Sequence, residues 1–186
     1  MDAFFNSALT VAVAEIGDKT QLLSLVLAAR FRNKWAIIAG ILAATLVNHG
    51  ISAWLGHYIG GFFSSDLGHW VVGFSFLLLA IWLLFPAKDE AVANRFDHYG
   101  AFVVSCLLFF LAEVGDKTQI ATVLLGAQYG AVVLVTLGTT LGMLVANIPV
   151  VLAGGYVLQF IPMTLMRIIS AAVFALIGVL QILAVG

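Results

Sequence analysis

Long apolar runs, each of about 20 residues or more and separated by short polar breaks, limit this chain to very few folds. They cover Phe4–Ala28, Lys34–Ile59, His69–Phe85, Gly100–Ala127, Ala131–Phe160 and Thr164–Val185, and predict six helices. In hydrocarbon an open backbone group finds no partner, so the expected fold is an all-α transmembrane bundle. Composition agrees: 63 % of residues are hydrophobic and 9 % charged, against roughly a quarter charged in soluble domains. Too little polar material exists to cover a water-facing surface. No basic patch for nucleic acid and no separate soluble domain can be found. The N-terminus lacks the positive region of a signal peptide, so the first run reads as a span. Cys106 is the sole cysteine, which excludes an intrachain disulfide and predicts a small buried apolar residue.

Placement of the eight Lys and Arg residues orients the bundle. Arg30, Arg32 and Lys34 fall in the first loop, Lys88 and Arg95 in the third, and Arg167 beside the fifth, while loops two and four hold none. Basic residues collect on the cytoplasmic side, so both termini are expected on the outer face.

A duplicated motif divides the chain. "AEIGDKTQ" at residues 14–21 returns as "AEVGDKTQ" at 112–119, a shift of 98 residues. The same shift aligns Gly40 with Gly138, Leu46-Val47 with Leu144-Val145, Gly56 with Gly154, Tyr58 with Tyr156 and Phe76 with Phe174. Aliphatic matches are cheap in membrane sequences; an eight-residue polar motif with one mismatch is not. Residues 1–85 and 100–186 therefore read as three-helix repeats joined by a solvated cytoplasmic linker, residues 86–99. Three spans per repeat is odd, so the halves enter the membrane from opposite sides, as in many secondary transporters.

The motif places charge where it is least welcome. Glu15 lies eleven residues into its run, roughly 16 Å deep and so near the middle of a ~30 Å hydrocarbon core. A charge there costs at least ~2.5–3.5 kcal/mol on insertion scales. Spacings of three put Glu15, Asp18 and Gln21 on one helical stripe, and Glu113, Asp116 and Gln119 on another. Gly17 and Gly115 between the acids permit close approach or local unwinding. Facing each other, the stripes would offer only oxygen, a set that suits Ca²⁺, Mn²⁺ or, less readily, Mg²⁺. Lys19 and Lys117, each four residues from a Glu and next to an Asp, are expected to pair with these acids or to snorkel. Four carboxylates and two ammonium groups sum to −4 + 2 = −2, which matches one divalent ion or two protons. A merely structural ion pair is the competing reading, weakened by the second copy and the surplus acids. Thr20 and Thr118 have two open readings, a ligand role or a hydroxyl bonded to the preceding turn.

Other polar positions flank the motif. Asn48-His49 lies mid-span, with His49 aligned on Asn147; a packing hydrogen bond is expected in preference to a proton relay through His49. Pro149 predicts a break or kink.

Paired E-x-G-D-K/R-T/S motifs, one per repeat, resemble the manganese and calcium cation exporters, a family with bacterial MneA-type members and Golgi relatives. "EIGDKT" at Glu15–Thr20 and "EVGDKT" at Glu113–Thr118 match completely. The resemblance implies an antiporter that moves Mn²⁺, in some members Ca²⁺, out of the cytoplasm with protons as counter-ion. It also implies an ion site at Glu15, Asp18, Glu113 and Asp116 and, for so short a chain, the bacterial inner membrane. The ion is then cargo; no cofactor is expected, lipid surrounds the bundle, and an oligomer is compatible with the sequence. A passive divalent-cation channel is the alternative. A metal-dependent intramembrane enzyme is disfavoured, because the acids lie too deep for headgroup chemistry and no Ser or Cys nucleophile stands beside a His.

Overall fold

The computed structural model describes residues 1–60, 66–85, 100–153 and 163–183. The linker at 86–99 with Lys88 and Arg95, the alignment partners Gly154 and Tyr156, and the end of the fifth run at Phe160 lie outside the described residues. Eight α-helices and no strand occur among those described. They are α1 Asp2–Glu15, α2 Lys19–Arg30, α3 Lys34–Gly60, α4 Asp66–Leu83, α5 Ala101–Glu113, α6 Lys117–Tyr129, α7 Val132–Ala153 and α8 Met163–Leu183.

The first and fourth apolar runs, expected as single helices, are each two helices meeting at a break inside the repeated motif. Two helices, α3 and α7, are each long and apolar enough to cross a bilayer alone. At 27 and 22 residues they measure roughly 40 and 33 Å. Pro149 does not break α7, which runs through it from Val132 to Ala153. One proline removes a single intrahelical bond, and the flanking bonds together with packing against α1 and α3 carry the helix past it.

Polarity is arranged inside out. Glu15, Gln21, Asn48, His49, Glu113, Lys117 and Asn147 are buried, whereas Phe5, Leu9, Ile51, Trp54, Leu78 and Leu183 are exposed. That distribution would be insoluble in water and is the arrangement expected where lipid is the solvent. The protein is an integral membrane protein. Cys106, expected to be buried, is only half-buried, because it lies at the margin of the α3–α5 contact.

Small residues bring helices to backbone contact. A methyl group built on Gly40 of α3 would lie 2.7 Å from Phe102 O and 2.8 Å from Ser105 Cβ of α5. On Gly138 of α7 it would overlap Phe4 O and come within 3.1 Å of Ser7 Cβ of α1. These are the same positions exchanged by the 98-residue shift. α4 and α8 meet similarly at Gly73 and Gly178, where Phe76 and Phe174 pack edge to face with centroids 5.7 Å apart. With side chains absent at the crossing, neighbouring backbones approach closely enough for dispersion to hold them in lipid.

Candidate functional site

Each broken helix turns on a glycine. Ile16 and Val114 leave the helix with ψ of 115° and 118°, and Gly17 and Gly115 take φ of 85° and 75°. Asp18 and Asp116, in extended conformation, then start α2 and α6. A side chain at positive φ strains an L residue, which is why glycine stands at both positions. Nothing lies within 4 Å of a methyl group built on Gly115, so Gly115→Ala is expected to cost only the backbone term, about 1 kcal/mol. Thermal unfolding of the purified variant in detergent checks this.

Both motif glutamines serve this turn. The Gly17 N–H donates to Gln21 Oε1 at 2.8 Å, and the Gly115 N–H donates to Gln119 Oε1 at 2.6 Å. Gln21 Nε2 donates onward to Ala146 O of α7 at 2.9 Å. Each amide oxygen expected as a ligand is thus engaged by a backbone N–H, with one lone pair remaining. A helix broken in an apolar interior leaves backbone N–H groups without partners, and each amide oxygen satisfies one.

The break brings the two copies together. One carboxylate oxygen each from Glu15, Glu113 and Asp116 lies within 4.8 Å of the others, and all three residues are buried. Thr20 Oγ1 donates to Glu15 Oε2, and Thr118 Oγ1 to Glu113 Oε2 at 2.8 Å. Neither threonine bonds back into its preceding turn; each reaches across the break to hold one glutamate oxygen. The second oxygens, Glu15 Oε1 and Glu113 Oε1, have no hydrogen-bond partner among the described residues, and neither does Asp18 Oδ2. Buried carboxylate oxygens without donors are costly unless a cation or proton joins them.

The lysines pair crosswise. Lys19 Nζ lies 2.9 Å from Asp116 Oδ1, and Lys117 Nζ lies 3.8 Å from Asp18 Oδ1. Both lysines thus pair with the motif acids, each with the Asp of the opposite copy, which the helix opened by that lysine faces. Their surroundings differ. The Lys19 side chain is 29 % exposed, whereas that of Lys117 is 7 % exposed and lies over the Trp82 ring at 5.9 Å. No motif spacing pointed to Trp82.

Flanking polar groups tie the broken helices to α3 and α7. Ser24 Oγ donates to Asn147 Oδ1 at 2.7 Å, and Asn147 Nδ2 donates to Met143 O at 3.0 Å. Asn48 Nδ2 donates to Phe110 O at 3.1 Å. The packing hydrogen bond expected for His49 is absent among the described residues: its ring is fully buried and neither nitrogen has a partner there. Ser24 was missed, although the 98-residue shift aligns it with another hydroxyl, Thr122.

Two broken helices meeting around buried acids, inside an apolar shell, form an arrangement found in membrane transporters. Residues 3–91 and 101–185 match the family described as "Divalent cation/proton antiporter GDT1". The chain belongs to that family, a transporter and not an enzyme. It is 51 % identical over 182 residues to a protein of Vibrio cholerae named "Putative manganese exporter", covering 96 % of this chain and 89 % of the relative. A GDT1-like protein of Synechocystis is 28 % identical over 97 % of both chains. GDT1-like protein 4 of Oryza sativa subsp. indica is 29 % identical over 76 % of this chain and 59 % of its own. No solved structure matches.

Proposed function

We propose that the protein exports Mn²⁺, and secondarily Ca²⁺, from the cytoplasm in exchange for protons. The ion binds at Glu15, Glu113 and Asp116, with Asp18 joining when Lys117 withdraws. The observation that carries this reading is the meeting of carboxylate oxygens from both motif copies within 4.8 Å, in a buried all-oxygen setting. Such a centre needs positive charge, which protons, lysines or a divalent ion can each supply in turn. Lys19 on Asp116 and Lys117 on Asp18 hold the place of the ion when it leaves.

In this reading the bundle has six spans, α1 with α2, α3, α4, α5 with α6, α7 and α8. The repeats, residues 1–85 and 100–186, are inserted oppositely and joined by a cytoplasmic linker at 86–99. Both termini lie on the outer side of the bacterial inner membrane, and rocking of one repeat against the other exposes the acids to each side alternately. The exchanged glycine contacts of Gly40 and Gly138 support this symmetry.

Inverted vesicles carrying the protein provide the test. An acid interior is expected to drive Mn²⁺ inward and to consume the pH gradient, with Ca²⁺ following more slowly and Na⁺ not at all. Flux that ignores the pH gradient and runs only downhill would overturn exchange in favour of a passive channel.

A further inference from the structure

The two motif copies are held to their neighbours differently. On one side α2 meets α7 through polar bonds, Gln21 Nε2 to Ala146 O and Ser24 Oγ to Asn147 Oδ1. On the other, α6 meets α3 through glycine: a methyl group on Gly56 would overlap Val123 O, and one on Gly126 would lie 2.5 Å from Ala53 O. The 98-residue shift pairs Ser24 with Thr122 and Asn147 with His49. Gly126 meets Ala53, and Gly56 and Gly60 meet Val123 and Ala127, so His49, one turn before Ala53, lies on the face of α3 that meets α6, and Thr122, one turn before Gly126, on the face of α6 that meets α3. Here Thr122 Oγ1 donates to Thr118 O at 2.7 Å, which leaves its lone pairs open, while both His49 nitrogens stand without a partner among the described residues.

Oppositely inserted repeats reach their second access state by exchanging conformations, so each half adopts the contacts now seen in the other. We propose that His49 is a positioning residue for the opposite access state, in which its ring N–H donates to Thr122 Oγ1 and ties α3 to α6 as Asn147 now ties α7 to α2. A buried imidazole without a partner is costly, and a state that supplies one is favoured by that difference. The bond requires only a neutral ring. The inference rests on the alternating-access reading above.

The experiment measures Mn²⁺/H⁺ exchange in proteoliposomes for wild type, His49→Asn, His49→Leu, Thr122→Ser, Thr122→Val and the Leu/Val double variant. Absence of exchange by wild type would overturn the functional reading itself. Given wild-type exchange, His49→Leu and Thr122→Val are each expected to slow turnover roughly three- to tenfold, the size of one interhelical hydrogen bond. His49→Asn and Thr122→Ser, which keep donor and acceptor, should retain most of the rate, and the double variant should be no slower than either single loss. His49→Leu at the wild-type rate, His49→Asn as slow as His49→Leu, or additive losses in the double variant would each overturn the proposal. Should His49→Leu fail to fold, the Thr122→Ser and Thr122→Val pair decides: equal rates overturn it, and a loss confined to Val supports it.

Discussion

Glu15→Gln and Glu113→Gln are each expected to reduce Mn²⁺ exchange by more than about a hundredfold while leaving the protein folded. Each change removes one of three carboxyl groups that each place an oxygen within 4.8 Å of the others. A buried charge deprived of its counterpart is worth roughly 3–5 kcal/mol, and about 2.7 kcal/mol is already a hundredfold. Gln nearly matches Glu in shape, and its amide oxygen can still accept from Thr20 or Thr118, so local packing survives. Flux in proteoliposomes and thermal unfolding in detergent, measured together, separate loss of the ion site from loss of the fold. Wild-type flux in either variant would show that the ion binds elsewhere.

The second large effect concerns stability. Gly56→Val is expected to destabilise the bundle by several kcal/mol, whereas Gly50→Ala should be neutral or mildly stabilising. A methyl group at Gly56 overlaps Val123 O and comes within 2.9 Å of Ala127 N, both backbone atoms that cannot rotate away. The helices α3 and α6 would have to part. At Gly50 the nearest atom is Thr136 Cγ2 at 3.7 Å, an ordinary contact, and alanine gains about 0.5–1 kcal/mol of helix preference. Thermal unfolding in detergent reads both variants. Equal stability of Gly56→Val and wild type would remove the close α3–α6 contact, and with it the placement of His49 and Thr122 on facing sides of those helices.

Membrane residence, helical class and the burial of the motif acids were legible in the sequence. Long uncharged runs admit only helices in lipid, and a charged motif at mid-run has no place to be except inside. The internal shift of 98 residues also foretold which acids would correspond. Gly17 and Gly115 signalled weakness in the helix, though the stripe drawn through Glu15, Asp18 and Gln21 assumed that the helix continued.

That assumption is where local reasoning stopped. Two positive-φ glycines end one helix and start another, so the acids leave a common stripe and the glutamines turn back to the broken backbone. The repeat pattern by itself pointed to Glu15, Asp18, Glu113 and Asp116 as interior residues, and all four are buried. Only the tertiary structure decided that Glu15 gathers with Glu113 and Asp116, that Lys19 takes Asp116 while Lys117 faces Asp18, and that His49 has no partner among the described residues. The physical reason is range: burial and periodicity are written in neighbouring residues, whereas pairings across 98 residues depend on how the halves dock.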